Sequence, residues 1–161
     1  MHAWDMTKEE INFDNFSALI AVGGDGTLHE VINGMMARND SKRLPVAFVP
    51  AGTGNDLVGC LGIKDVNMAI DWFLKGDVIK MDLNKILIDA EREDQIPEDE
   101  KTSRFRYSAI NTGVGYVAKS THKAIAHKPM FGGASYATSG VVNFFTSSAE
   151  VFDLEIELSD G

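Results

Sequence analysis

The residues best suited to chemistry form a short glycine-rich run, Gly23-Gly24-Asp25-Gly26-Thr27. A buried strand is expected before this loop and a helix after it, so backbone N–H groups and the helix dipole would favour an anion such as phosphate. Asp25 would repel phosphate, and its presence makes sense if a divalent cation or a substrate hydroxyl lies between the two. The alternative is a tight turn in which Asp25 caps the helix. The first loop alone does not decide between them.

A second glycine-rich run, Gly52-Thr53-Gly54-Asn55-Asp56, follows another apolar segment and supplies hydroxyl, amide and carboxylate groups. Loops that follow the strands of a parallel sheet meet at its carboxyl edge, so the two runs are expected to converge. Two converging loops favour a phosphate site over two simple turns. The sequence lacks the Gly-Lys-Ser/Thr tripeptide of Walker proteins, and neither loop has the G-x-G-x-x-G dinucleotide fingerprint.

The segments around the first loop predict a strand followed by a helix. Ser17–Val22 is short and continuously apolar, which is typical of a strand buried on both faces of a parallel sheet. Thr27 and Glu30 have the spacing of a capping box, which predicts that the helix begins at the glycine loop. The apolar residues that follow have helical spacing and are expected to face the sheet: Leu28, Val31, Ile32, Met35 and Met36.

The strand and helix pattern repeats after the first helix. Pro45–Val49 predicts a second buried strand, and Leu57–Leu61 predicts a short helix after the second loop. Asp65 can cap a further helix that ends at Gly76. Four residues of that helix are expected to face inward: Val66, Ala69, Ile70 and Phe73. The fold class is therefore α/β, with ligand loops at the carboxyl ends of the strands.

The pattern changes near residue 76, where we expect a domain boundary. Val78–Asp89 and Arg104–Thr112 partly alternate between apolar and polar residues and predict two antiparallel strands, joined by the acidic segment Glu91–Ser103. Further along, the predicted elements are two helices separated by a glycine break and then a closing strand: Tyr116–Ala126, Gly132-Gly133, Ser135–Ser147 and Val151–Leu158.

Composition narrows the functional classes. The chain has 161 residues, 44% of them hydrophobic, and a formal net charge of −9, so it lacks the overall basic field that holds proteins on nucleic acid. Its single cysteine, Cys60, excludes an internal disulfide and a zinc site built on several thiolates. No stretch approaches the roughly 20 apolar residues that span a bilayer. We expect a cytoplasmic protein without a transmembrane segment, attached peripherally to membranes if at all.

Two long motifs carry a specific resemblance. They are Gly23-Gly24-Asp25-Gly26-Thr27-Leu28-His29-Glu30-Val31-Ile32-Asn33-Gly34 and Pro50-Ala51-Gly52-Thr53-Gly54-Asn55-Asp56-Leu57. Together they resemble the diacylglycerol kinase catalytic-domain family, which includes bacterial lipid kinases and sphingosine and ceramide kinases. NAD kinases share the loop Gly23-Gly24-Asp25-Gly26-Thr27, whereas the second motif belongs to the lipid enzymes.

The resemblance implies two domains: residues 1–76 would be the C-terminal part of an α/β nucleotide-binding domain, and residues 77–161 the first part of a β-rich, sandwich-like lipid-binding domain. It also implies ATP and Mg²⁺ as cofactors and a lipid hydroxyl at a membrane surface as the acceptor. Asp25 would be catalytic, and Asp25 and Asp56 would bind the metal ion through water. The residues expected around the nucleotide are Gly23, Gly24, Gly26, Thr27, Glu30, Gly52, Thr53, Gly54, Asn55 and Asp56.

Departures from the family pattern leave alternatives open. The family's first glycine loop and its later acidic Asp-Gly-Glu motif have no counterpart here, which predicts a fragment or a shortened gene model. Sphingosine kinases carry an aspartate at the position comparable to Lys119. A cation at this position favours diacylglycerol over a sphingoid amine as the substrate. The alternative functions are an NAD kinase and a non-catalytic nucleotide-binding module, and a homodimer is an open possibility.

Overall fold

The computed structural model of the chain describes residues 2–88, 104–131 and 134–146. The chain groups into two compact units, Met1–Thr112 and Gly113–Gly161. The helices and strands of the first unit are α1 (His2–Asp5), β1 (Leu19–Gly23), α2 (Asp25–Met36), β2 (Val46–Pro50), α3 (Asp56–Cys60), α4 (Val66–Lys75), β3 (Asn84–Leu87) and β4 (Phe105–Ser108). The second unit contains α5 (Tyr116–Phe131) and α6 (Ser135–Thr146).

Strands β1 and β2 pair in parallel, with Leu19 opposite Val46 and Gly23 opposite Pro50. Both strands were predicted, and each lies one or two residues further along the chain than expected. A hydrogen bond from the Ala51 N–H to the Gly23 carbonyl oxygen, 2.7 Å long, continues the pairing beyond the ladder. The pairing therefore holds the starts of the two glycine loops side by side.

Helix α2 begins at Asp25, two residues before the predicted start, with Gly24 as its N-cap residue. The helix begins at the glycine loop, as predicted, but not through a capping box: Thr27 already lies inside the first turn, and Glu30 accepts a hydrogen bond from the Ala3 N–H at 3.1 Å. The predicted apolar stripe is confirmed in its first four members, all buried: Leu28, Val31, Ile32 and Met35. With Ala21 and Leu57, the first three of these form the hydrophobic core beside the loops.

The N-terminal residues pack on α2. A Cβ at Gly34 would lie 2.5 Å from the Trp4 carbonyl oxygen, so only a glycine allows this close approach. After α1 the chain makes a π-helical turn, Met6–Glu10, and a 3-10 turn, Phe13–Asn15. Arg38 donates to the carbonyl oxygens of Thr7, Lys8 and Ile11 and thereby satisfies backbone acceptors that the turn leaves open.

Helix α4 has the predicted ends but not the predicted burial. The Asp65 carboxylate accepts the Met68 N–H at 2.9 Å, and Gly76 ends the helix in the left-handed region, with φ of 74°. Ala69 is buried, but the other three residues expected to face inward are each 41% exposed: Val66, Ile70 and Phe73. Helix α4 packs against β2 of the two-stranded sheet and borders an apolar cavity of about 480 Å³.

Strands β3 and β4 confirm the predicted antiparallel pair, although both are shorter than expected. Asn84 lies opposite Ser108 and Leu87 opposite Phe105. A bond from the Ile88 N–H to the Arg104 carbonyl oxygen, 2.9 Å long, extends the ladder by one residue on each side. The acidic connection predicted at 91–103 lies outside the described residues.

In the second unit, α5 and α6 pack against each other. Both helices were predicted, and α5 continues five residues beyond its expected end to Phe131. Buried Asn143 on α6 donates to the Ser120 hydroxyl at 2.9 Å and accepts from the Lys123 ammonium at 2.6 Å. The predicted glycine break and closing strand lie outside the described residues. None of the helices in the described part of the chain has the length and apolar character needed to cross a membrane.

Candidate functional site

The two glycine loops converge, as the sequence predicts, and their backbones are in direct contact. A Cβ at Gly52 would overlap the Cα of Gly24, and a Cβ at Gly24 would lie 3.2 Å from the Cα of Gly52. Any larger residue at either position would force the loops apart. The two runs therefore form one structural feature, which we call the loop junction and define as Gly23–Thr27 and Gly52–Asp56.

Asn55 holds the second loop in shape. Its backbone is left-handed, with φ of 56° and ψ of 45°, a conformation that asparagine tolerates better than most residues. Its side-chain oxygen accepts the Gly52 N–H at 3.0 Å, and its side-chain nitrogen donates to the Gly52 carbonyl oxygen at 2.9 Å. Asn55 therefore closes a tight turn around Gly52, while Thr53 at the tip of the turn is exposed.

Asp25 connects the two loops. One carboxylate oxygen accepts the Asp56 N–H at 3.1 Å, and the other lies 3.4 Å from the Leu57 nitrogen and accepts its N–H. The side chain thus caps α3, whose own N-cap residue, Asn55, makes no side-chain cap. The predicted alternative, in which Asp25 caps the helix that follows it, is therefore wrong: Asp25 is the first residue of α2, and the helix that it caps is α3.

The carboxylates of Asp25 and Asp56 lie on the same side of the second loop. A Cβ at Gly54 would be 3.2 Å from an oxygen of Asp25 and 3.5 Å from an oxygen of Asp56. Across residues 2–88, 104–131 and 134–146, no three His, Cys, Asp or Glu side chains are grouped as metal ligands. Two carboxylates suit Mg²⁺ when phosphate oxygens and water complete its coordination, since this ion is commonly held by one or two carboxylates.

The N-terminus of α2 points at the junction without a side-chain cap. Gly24 makes no side-chain hydrogen bond, and its carbonyl oxygen accepts the N–H groups of Thr27 and Leu28 at 2.9 and 3.2 Å. The Thr27 hydroxyl lies over Gly23, where a Cβ would be 2.5 Å from it, and Gly26 has open space around its Cα. The positive end of the helix dipole is thus available to an anion.

Glu30 was expected beside the nucleotide, and its carboxylate binds the Ala3 N–H of α1. This contact ties α2 to the N-terminal helix. Whether Glu30 also contacts a ligand stays a prediction. His29, its neighbour, has a lowered pKa because packing removes part of its hydration and because the Arg106 guanidinium is nearby, although Glu30 acts in the opposite direction.

Asn33, which was not predicted as a site residue, is 1% exposed. Its side-chain nitrogen donates to the carbonyl oxygens of Tyr107 and His29, both at 2.8 Å, and its oxygen accepts the Tyr107 N–H at 2.7 Å. The sequence did contain a signal for this role, because Asn33 is a polar residue that directly follows Ile32, a member of the core-facing stripe of α2. Buried polar groups need such partners, so a distant partner could have been expected there.

A family model, the diacylglycerol kinase catalytic domain, matches residues 2–86. The matched segment contains both loops of the junction and makes up more than half of the 161 residues. The chain therefore belongs to the diacylglycerol kinase catalytic domain family, a family of lipid kinases.

Two relatives illustrate the similarity. Sphingosine kinase B of Dictyostelium discoideum is 37% identical over 75 residues, which cover 45% of this chain and 10% of that protein. A diacylglycerol kinase of Staphylococcus aureus is 39% identical over 82 residues, which cover 50% of this chain and 25% of that protein. The matched part thus spans a quarter or less of either relative.

Proposed function

We propose that this chain provides the ATP-binding part of a lipid kinase that transfers the γ-phosphate of ATP to a hydroxyl group of diacylglycerol. The observation that carries the proposal is the loop junction, in which two glycine loops touch at the uncapped N-terminus of α2. Family membership supports the same reading, because the matched segment includes the whole junction. The names of the two relatives favour a lipid acceptor over a nicotinamide nucleotide.

In this proposal the ATP phosphates bind at the junction. Backbone N–H groups of Gly24, Gly26, Thr53 and Gly54 would donate to the phosphate oxygens, while the Gly52 N–H stays bonded to Asn55. The dipole of α2 would add a favourable field. The Thr27 and Thr53 hydroxyls are further donors within the same loops. The lack of a Cβ at Gly24 and Gly52 lets the two loops touch, so that the N–H groups of both loops could reach the phosphates of one nucleotide.

Asp25 is the proposed catalytic residue. Its two backbone hydrogen bonds fix the direction of its carboxylate, so it can orient a lipid hydroxyl, or accept its proton, without reorganising during the reaction. Asp25 and Asp56 would hold Mg²⁺ through water, and the bound ion would neutralise charge on the phosphates. The residues of this chain thus contribute mainly position and electrostatics, which is what phosphoryl transfer requires.

Residues 1–76 would form part of the nucleotide-binding domain and residues 77–161 the start of a β-rich lipid-binding domain, with β3 and β4 as its first strands. The enzyme would act in the cytoplasm and reach its substrate at the membrane surface. Sphingosine kinases carry an aspartate at the position comparable to Lys119. The positive charge of Lys119 favours a neutral lipid such as diacylglycerol over a sphingoid amine.

The test is phosphate transfer from Mg-ATP, labelled on its γ-phosphate, by the full-length natural protein. The acceptors are vesicles containing diacylglycerol or sphingosine, with soluble NAD as a separate acceptor. We expect labelled phosphatidic acid, a loss of about 10²-fold or more in Asp25→Asn, and unchanged transfer in Asp71→Asn, an exposed aspartate on α4 that serves as the control. Labelled NADP would identify an NAD kinase. ATP binding without transfer to any acceptor would identify a non-catalytic module.

A further inference from the structure

Asn33 makes a contact that resembles strand pairing more than ordinary side-chain packing. In an antiparallel ladder the N–H and C=O of a given residue point to the same side, and that side alternates along the strand. Arg104 bonds to β3 through Ile88, so Tyr107, three residues later, directs both of its backbone groups away from β3. The Asn33 carboxamide accepts from one group and donates to the other, at 2.7 and 2.8 Å.

The contact links the loop junction to hairpin β3–β4. Asn33 lies on α2, two turns after Asp25, and α2 begins at the first glycine loop. Tyr107 lies on β4, 74 residues away in sequence. The third bond of Asn33, to the His29 carbonyl oxygen of its own helix, fixes the side chain in the direction that meets Tyr107. A rigid helix thus has the loop junction at one end and the hairpin bound beyond its middle.

We propose that Asn33 is a positioning residue that couples the phosphate-binding loops to hairpin β3–β4. The inference rests on the proposed function for the identity of the ligand at the loops. A ligand that orders the loop junction also orders the hairpin, because both are attached to α2 and Asn33 supplies two hydrogen bonds of the attachment. In the kinase, this holds the hairpin in register with the phosphate to be transferred.

The role differs from that of a buried polar residue that only stabilises the fold. Asn143 on α6 is as deeply buried as Asn33 and also has three hydrogen-bonding partners, but all of its bonds lie within the second unit. The same substitution at the two asparagines therefore separates coupling from stability. Leucine has the same number and branching of side-chain heavy atoms as asparagine and makes no side-chain hydrogen bonds, so Asn33→Leu and Asn143→Leu are the matched pair.

The experiment measures hydrogen exchange of backbone amides in the full-length protein with and without Mg-ADP. In the wild type and in Asn143→Leu, we expect Mg-ADP to slow exchange both at the loop junction and in β3 and β4. In Asn33→Leu, we expect the slowing at the junction to remain and that in the hairpin to be lost. Asn33→Ser, which keeps a small polar group, gives the same comparison if the leucine variant does not fold.

Kinetics provide a second readout. We expect kcat of the folded Asn33→Leu protein to fall by about tenfold, while KM for ATP changes little, since the junction itself is intact. Slowing of hairpin exchange in Asn33→Leu equal to that in the wild type would overturn the inference. So would Mg-ADP binding in the wild type that protects the junction and never the hairpin. Failure of Mg-ADP to bind the wild type would instead remove the proposed function, and the inference with it.

Discussion

Helices α2 and α4 carry similar apolar stripes, but the stripe of α2 is buried far more completely than that of α4. Leu28 and Ile32 of α2 are buried against Ala21 and Leu57, whereas Ile70 and Phe73 of α4 are 41% exposed. Both stripes have the spacing of a helix that covers a sheet. The two helices contact different elements. Helix α2 packs on β1, α1 and hairpin β3–β4, while α4 packs on β2 of the two-stranded parallel sheet. A stripe predicts which side of a helix is apolar, and tertiary contacts decide whether that side is buried.

The same contrast extends to the helix ends. The N-cap residue of α4 is Asp65, whose side chain caps the helix, as is common. The N-cap residue of α2 is Gly24, which has no side chain to do so. Helix α2 is therefore firmly packed along its length and open at its N-terminus, which suits a helix that presents a binding site. Helix α4 is capped at its N-terminus and loosely packed along its length.

The largest expected effect distinguishes the two apolar stripes. Leu28→Ala should lower the free energy of unfolding by about 2–5 kcal/mol, because it leaves a cavity in the core. Ile70→Ala should lower it by about 1 kcal/mol, because much of that side chain already contacts water. Urea denaturation of both variants measures the difference. Equal losses would mean that α4 is packed as tightly as α2 in solution.

The loop junction should be the most sensitive part of the site. Gly52→Ala places a Cβ on the Cα of Gly24 and should separate the loops, with a loss of about 10²-fold in kcat/KM for phosphate transfer. Gly59→Ala is the matched control, since a Cβ there meets nothing within 4 Å and the residue lies on α3. Steady-state kinetics of the two variants test this, and an active Gly52→Ala protein would show that the close approach is dispensable.

A smaller effect is expected at the start of α4. Asp65→Ala removes the side-chain oxygen that accepts the Met68 N–H and should cost about 1 kcal/mol of stability. Asp65→Asn keeps a capping oxygen and should recover most of that loss. Thermal denaturation measures both, and transfer activity should not change in either. A drop in activity at unchanged stability would indicate that α4 contributes to the site.

The smallest effect concerns pH. The pKa of His29 is lowered in the folded protein from the ordinary histidine value of 6.5. As the pH falls through 6.5, the unfolded chain therefore binds a proton at His29 more readily than the folded protein does. The slope of unfolding free energy against pH is then positive, and stability should fall as the pH falls through 6.5. His29→Gln should flatten this part of the curve. Denaturation at several pH values provides the measurement, and an identical slope in the variant would assign it to other groups.

Much of the fold followed from local patterns. Both glycine loops, the two parallel strands, the stripe of α2, the Asp65 cap and the hairpin were predicted, because each depends on residues close together in the chain. The convergence of the loops also followed, since parallel strands place their carboxyl ends at one edge. What could not be predicted depends on distant partners. Asp25 caps α3, Glu30 binds Ala3, and Asn33 pairs with Tyr107.

The two loops are expected to bind one ligand together. The most direct test is an NMR titration of the full-length protein with Mg-ADP, following the backbone amides of Gly24, Gly26, Gly52 and Gly54, with Gly76 at the end of α4 as a distant reference. We predict that the four junction amides shift with one common dissociation constant while Gly76 stays in place. Saturable binding that shifts the amides of one loop and leaves those of the other unchanged would contradict the account.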